Sequence, residues 1–243
     1  NVSKEYIDNN CFKSIILKNV SLNIPSEKIT SVIAPSGSGK STLLKIISGL
    51  ELTTSGEVIK ERNQKIIYIP SQPSSFPWLN VEENISLGLL EKDDTVIKNI
   101  IRFAGLEGYE SFHPNNKSYG FRFRIALARS LAHHPEAILL DEPFNQMDNQ
   151  TKKEIMLLIR ETQNTLKTTF LLATTNITVA LFLSDNIYLM KKNPGEIISD
   201  LLVDLPKERN ELIYDSDKFI QLRSQIEKSF KKIDSQKLFN LSI

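Results

Sequence analysis

The sequence holds a single cysteine, Cys11, among 243 residues. An intrachain disulfide is therefore excluded, and a reducing compartment suits the chain. It also lacks an excess of either charge. Thirty Lys and Arg stand against 29 Asp and Glu, a net charge of +1, so no strong field points to nucleic acid or to an anionic membrane surface. No apolar run approaches the roughly 20 residues that a membrane-spanning helix needs, so any membrane role must come through a partner. No signal peptide is visible, and with Asn as the first residue the natural start is expected further upstream. What is present is ordinary for a globular protein: 40% hydrophobic and 24% charged residues, in a length that suits one large domain or a core with an inserted subdomain.

Along the chain, β-type and helical patterns alternate. IILKNVSLNI (15–24) and KITSVIA (28–34) are rich in β-branched residues and are separated by a Pro25 turn. STLLKIISGL (41–50) reads as a helix ending at Gly49. GEVIK (56–60) and KIIYI (65–69) read as short strands, and a loop rich in Pro and Ser follows over 70–77. Residues 81–134 are mainly helical. Then come a strand at 137–141, a helix at 151–165, a strand at 168–174, a short helix at 177–183 and a strand at 186–190. The charged tail ends in a helix over 217–230. This alternation predicts an α/β fold, a mostly parallel sheet with helices on both faces and an N-terminal antiparallel β portion. Residues 78–135 read as an inserted helical subdomain within a core of 1–77 and 136–205, followed by a tail, 206–243.

APSGSGKS (34–41) lies between a strand and a helix, the context that a phosphate-binding loop requires. Backbone N–H groups from Ser36 to Lys40 can wrap a polyphosphate only where small residues let the chain curl, and Gly37 and Gly39 permit that. The helix start adds about half a positive charge. Lys40 can reach the β- and γ-phosphates, and the Ser41 hydroxyl can ligate Mg²⁺. Ala34 stands where this pattern usually has its first glycine. Downstream, AILLDE is a buried strand ending in Asp141 and Glu142. In a phosphate-loop protein the first acid holds the Mg²⁺ shell and the second polarises the attacking water.

Together these stretches resemble the ATP-binding subunit of an ABC transporter, over nearly the whole chain. The resemblance implies ATP and Mg²⁺ as ligands. Tyr6 resembles the aromatic that stacks on adenine. APSGSGKST, with Ser36, Gly37, Ser38, Gly39, Lys40, Ser41 and Thr42, resembles Walker A. Gln72 resembles the Q-loop glutamine, a contact to Mg²⁺ and water, so the implied metal contacts are Ser41, Gln72 and Asp141. RIALARSLAHHPEAILLDEPF resembles the signature helix leading into Walker B, with Glu142 as catalytic base, and Asp148 resembles the end of the D-loop. QPSSFPWLNVEENI and NPGEIISDLLVDLPKERN (193–210) resemble importers of nitrate, sulfonates, taurine or thiamine precursors. Phe76, Pro77 and Trp78 form an apolar cluster that by resemblance lies near the groove for the permease; packing within the helical subdomain is the alternative.

Two departures stand out. Where the family signature reads Leu-Ser-Gly-Gly-Gln, this chain has Lys117, Ser118, Tyr119, Gly120 and Phe121. Ser118 keeps a hydroxyl for phosphate and for capping, and Gly120 keeps one flexible position. Tyr119 and Phe121 put rings in that segment, which implies a weakened contact to the nucleotide of a second subunit. Thr175 aligns with the switch histidine. The only histidines, His113, His133 and His134, precede Asp141, and a threonine cannot carry a charge or shuttle a proton near neutral pH.

The resemblance therefore implies an importer's ATPase subunit at the cytoplasmic face of the membrane. Its partners would be a permease, a second ATP-binding subunit of the same or a different chain and, indirectly, a substrate-binding protein. A regulatory subunit that binds ATP but hydrolyses it poorly is the alternative. A non-transport ABC protein acting on nucleic acid is disfavoured by the neutral charge.

Overall fold

A computed structural model describes residues 1–7, 11–61, 64–72, 75–115 and 117–239, the last stretch by backbone alone over 233–239. Residues 73 and 74 of the expected Pro/Ser loop lie outside the described residues. In chain order the elements are β1 (Val2–Ile7), β2 (Lys13–Val20), β3 (Ile29–Ile33), α1 (Lys40–Ser48), β4 (Ser55–Gly56) and β5 (Ile66–Ile69). Then follow α2 (Val81–Ser86), α3 (Asp94–Phe103), α4 (Tyr119–Ala132), β6 (Ala137–Asp141), α5 (Asn149–Leu166) and β7 (Thr169–Thr174). The chain closes with α6 (Ile177–Leu183), β8 (Asn186–Lys191), β9 (Glu196–Leu202), a 3₁₀ turn (Glu211–Asp215) and α7 (Asp217–Phe239). They form two compact units, Asn1–Ile59 with Leu171–Ile243, and Lys60–Phe170.

In the first unit, β1 lies between β2 and β4 in an antiparallel sheet, paired from Val2↔Val20 to Ile7↔Lys13 on one side and at Val2↔Gly56 on the other. β1 was not anticipated, because VSKEYI alternates polar residues with few apolar ones. GEVIK is strand only at Gly56: that residue has φ 82, in the left-handed region that ends an extended run, and residues 57–60 are irregular. β2 stops at Val20, its last rung with β1, rather than at residue 24. β3 runs parallel to β8 from Thr30↔Asn186 to Ile33↔Leu189, and β9 returns antiparallel along β8. All five residues of β3 are buried, as expected of a strand covered on both faces. Phe219, Leu222 and Ile226 of α7 are buried at helical spacing, and Tyr214 links the two rings beside it, tilted against Phe182 and edge-on to Phe219.

In the second unit, β5 pairs in parallel with β6, from Ile66↔Ala137 to Ile69↔Leu140. The helices α2, α3 and α4 enclose a cluster of Val81, Ile85, Ile97, Ile101, Leu106 and Ile125. Each such aliphatic side chain contributes about 1.5–3 kcal/mol on burial. The boundaries reflect local chemistry. Asn80 and Glu83 make a reciprocal capping box at the start of α2, and Asp93 caps α3 by accepting from the amides of Thr95 and Val96. The fold is α/β, with mostly parallel strands, helices and a separate antiparallel sheet.

Candidate functional site

The loop between β3 and α1 is built around Lys40. Its side chain is buried, 6% exposed, and its Nζ donates to the carbonyls of Ala34 at 2.9 Å and Pro35 at 3.1 Å. The loop therefore curls around its own ammonium group. Gly37 has φ 74 and Gly39, the N-cap of α1, has φ 91. A Cβ on Gly39 would also lie 2.8 Å from Leu17 Cδ2. Ala34 is outside the left-handed region, so alanine meets no backbone penalty there. Ser36 and Ser41 are exposed, whereas Ser38 is buried and its Oγ has no hydrogen-bond partner. Behind the loop sits Gly195, between β8 and β9. Its amide donates to the Ile16 carbonyl at 2.8 Å, and a Cβ there would fall 2.3 Å from the Ser38 carbonyl oxygen.

Tyr6 lies beside the start of α1. Its hydroxyl donates to Glu51 and also meets the Thr42 side chain, and the Lys4 ammonium lies 4.9 Å from its ring centroid. The hydrogen bond to Glu51, with partial burial, raises the Tyr6 phenol above its usual range. The ring is 43% exposed, open to stacking. Thr175 is exposed just beyond β7, whose last carbonyl, that of Thr174, accepts from the Ala34 amide at 3.3 Å. The first unit thus gathers Tyr6, the loop and Thr175.

In the second unit, β6 delivers Asp141 and Glu142. Asp141 is 3% exposed. Its Oδ2 accepts from the Tyr68 hydroxyl at 2.8 Å, while its Oδ1 is buried with no hydrogen-bond partner. A buried carboxylate oxygen without a donor is costly, and the chemistry of that oxygen suits a Mg²⁺ shell. Burial, and then the bond to Asp141, push the Tyr68 phenol well above its usual range, so it stays a donor at any working pH. Sequence reasoning missed Tyr68, because its link to Asp141 depends on the register of β5 against β6. Glu142 has φ 46. For a residue with a Cβ this conformation costs about 1–2 kcal/mol. Among the described residues no cluster of three or more His, Cys, Asp and Glu side chains is placed to hold a metal ion.

The unusual segment before α4 has a packing explanation. Ser118 is exposed and caps α4, its Oγ accepting from the Phe121 amide at 3.3 Å. Phe121 stacks edge-on against Tyr109, and the Lys117 ammonium lies over the rings of Phe112 and Phe121 at 5.3 and 5.8 Å. Tyr119 lies under the Arg122 guanidinium at 4.3 Å. Gly120 is buried not for flexibility but for close approach: a Cβ there would come 2.2 Å from Thr151 Cγ2. Thr151 cannot easily turn away, since its hydroxyl and its amide both bond Asp148, the N-cap of α5. Those bonds hold the exposed Asp148 carboxyl below the usual range. We expect Gly120→Ala to lower stability by about 1–3 kcal/mol in denaturant unfolding; an unchanged midpoint would show that the two helices separate freely.

Gln72 is exposed shortly after β5. Beyond it the buried Asn84 folds the segment that holds Phe76 to Asn80. Its Nδ2 donates to the carbonyls of Phe76, Leu79 and Asn80, and its Oδ1 accepts from the Phe76 amide. Phe76 packs beneath Arg129, whereas Trp78 is 70% exposed. No helix among the described residues is long and apolar enough to cross a membrane.

Residues 17–145 match the sequence profile of the family described as ABC transporter. The aliphatic sulfonates import ATP-binding protein SsuB of Bacillus thuringiensis subsp. konkukian (strain 97-27) is 36% identical over 225 residues, 89% of this chain and 88% of that protein. The nitrate import ATP-binding protein NrtD of Synechocystis sp. is 33% identical over 206 residues, 79% of this chain and 77% of its own. Among solved structures, the dimeric bacterial ABC transporter cassette MJ0796 superposes with a TM-score of 0.73 at 30% identity, covering 85% of this chain and 98% of the cassette. Its post-hydrolysis dimer, bound to ADP and Pi, gives 0.72 at 29% identity, with the same coverage.

Proposed function

The chain belongs to the ABC transporter family, and on that premise we propose that it is the ATP-binding subunit of an importer, coupling Mg·ATP binding and hydrolysis to solute movement through a membrane permease. The observation that carries this reading is the loop wrapped around Lys40, with its two left-handed glycines at the start of α1. Ser36 to Lys40 would hold the β- and γ-phosphates, Ser41 with Thr42 would follow at the helix start, and Tyr6 would stack on adenine. Ser41, Gln72 and Asp141 would hold Mg²⁺, which when bound neutralises charge on the β- and γ-phosphates. Glu142 would take the proton of the water that attacks the γ-phosphorus in line. Ser118, Gly120 and Asp148 would meet the nucleotide of a second ATP-binding subunit, as the dimeric state of the similar cassettes supports. Exposed Trp78 would meet the permease, placing the chain on the cytoplasmic face of the membrane. We read 78–135 as a subdomain inserted in a nucleotide-binding core of 1–77 and 136–205, with 206–243 as a tail. The test is ATP turnover by the purified chain, alone and with its permease: the permease should stimulate it, and no turnover in either state would contradict the reading.

A second reading, an ATP-binding subunit with weak hydrolysis, is favoured by Thr175 in place of a cation and by the rings at 119 and 121. The chain alone should then turn over slowly, and Thr175→His should raise the rate, by up to about 10²-fold, because a cation again meets the developing γ-phosphate charge. A wild-type rate of several turnovers per second, unaltered in that variant, would rule impairment out.

A further inference from the structure

Tyr68 is a polar group on an otherwise aliphatic strand, IIYI. Its register partner across the parallel pair is Leu139, so Asp141 is its diagonal neighbour on the same face of the sheet. An aromatic side chain can span that diagonal. The phenol does so, donating to Oδ2 at 2.8 Å, while Oδ1 has no hydrogen-bond partner. A single donor on one oxygen of a buried carboxylate fixes the rotation of the group and leaves the other oxygen free to accept. We infer that Tyr68 is a positioning residue for the metal shell: it holds the Asp141 carboxylate so that Oδ1 is presented to the ion that accompanies ATP. The phenol touches neither nucleotide nor metal and acts through Asp141 alone. Groups one step out from a metal ligand typically alter metal affinity by about 10–100-fold when removed.

This inference rests on the proposed Mg·ATP site, and its test separates the two. Tyr68→Phe removes only the hydroxyl. Binding of Mn²⁺ to the ATP-loaded protein, followed by electron paramagnetic resonance, should weaken by about tenfold or more, whereas ATP affinity in EDTA should match the wild type. A fold role alone would shift both affinities together or neither. Asp141→Asn serves as the control for the metal arm. If Asp141→Asn weakens Mn²⁺ binding and Tyr68→Phe does not, the positioning role is wrong and the site reading stands. If the wild type binds no ATP, the proposed function falls and the role of Tyr68 falls with it. Should the phenylalanine variant fail to fold, 3-fluorotyrosine placed at position 68 keeps the hydroxyl. Its fluorine resonance should then shift when Mg²⁺ joins the ATP-loaded protein, and an unmoved resonance would overturn the inference.

Discussion

Replacing Glu142 by Gln should lower ATP turnover by about 10²–10⁴-fold, the contribution of a positioned general base, while leaving Mg·ATP affinity nearly unchanged. The amide keeps the size and hydrogen-bonding reach of the side chain and loses only its basicity. On the proposed reading the γ-phosphate would bridge two subunits, so the ATP-bound dimer should outlive that of the wild type once cleavage is blocked. Size-exclusion chromatography with Mg·ATP, beside a phosphate-release assay, checks both effects. The backbone gives an independent control. Glu142 has φ 46, a conformation that glycine adopts without cost. Glu142→Gly should therefore be as inactive as the glutamine variant but unfold at the same or a higher denaturant concentration, since removing roughly 1–2 kcal/mol of strain offsets the extra freedom of the unfolded chain. A glycine variant clearly less stable than the glutamine one would mean that the conformation stores no strain.

The parts of this molecule that were legible in sequence are those whose physics is local. The strand, the Gly-Ser-Gly-Lys turn and the helix of the phosphate loop follow one another within a few residues, and so do AILL and its two acids. The α/β class followed from the alternation of elements and matches the observed sheets. What could not be read depends on which distant segments meet. Tyr68 reaches Asp141 only because β5 pairs with β6 in one register, and Gly195 backs Ser38 only because the turn between β8 and β9 crosses behind the loop. β1 escaped notice because its pairing with β2, not its own apolar content, makes it a strand. In sequence, Gly120 reads as a flexible point and Phe121 as a ring that weakens a contact to nucleotide. In the fold they are a close helix contact and one wall of an aromatic cluster, so packing accounts for the glycine at 120 and for the ring at 121.

The largest effect on binding should come from Lys40. Its side chain is buried beneath the loop, and its ammonium donates to the carbonyls of Ala34 and Pro35, which fixes it in position. A polyphosphate oxygen bound in the loop would accept a charge-assisted hydrogen bond from that ammonium, and such bonds are about twice as strong as neutral ones. Lys40→Ala removes the cation together with the post around which the loop curls, so both the charge and the shape of the cradle are lost. The most direct measurement is therefore a titration of the purified chain with a fluorescent ATP analogue and Mg²⁺, wild type against Lys40→Ala. A wild type that binds saturably, and a variant whose affinity falls by about 10²-fold or more, corresponding to roughly 3 kcal/mol, are the predicted results. Equal affinity in the two proteins, or no binding by the wild type, would contradict the assignment of this loop as the ATP site.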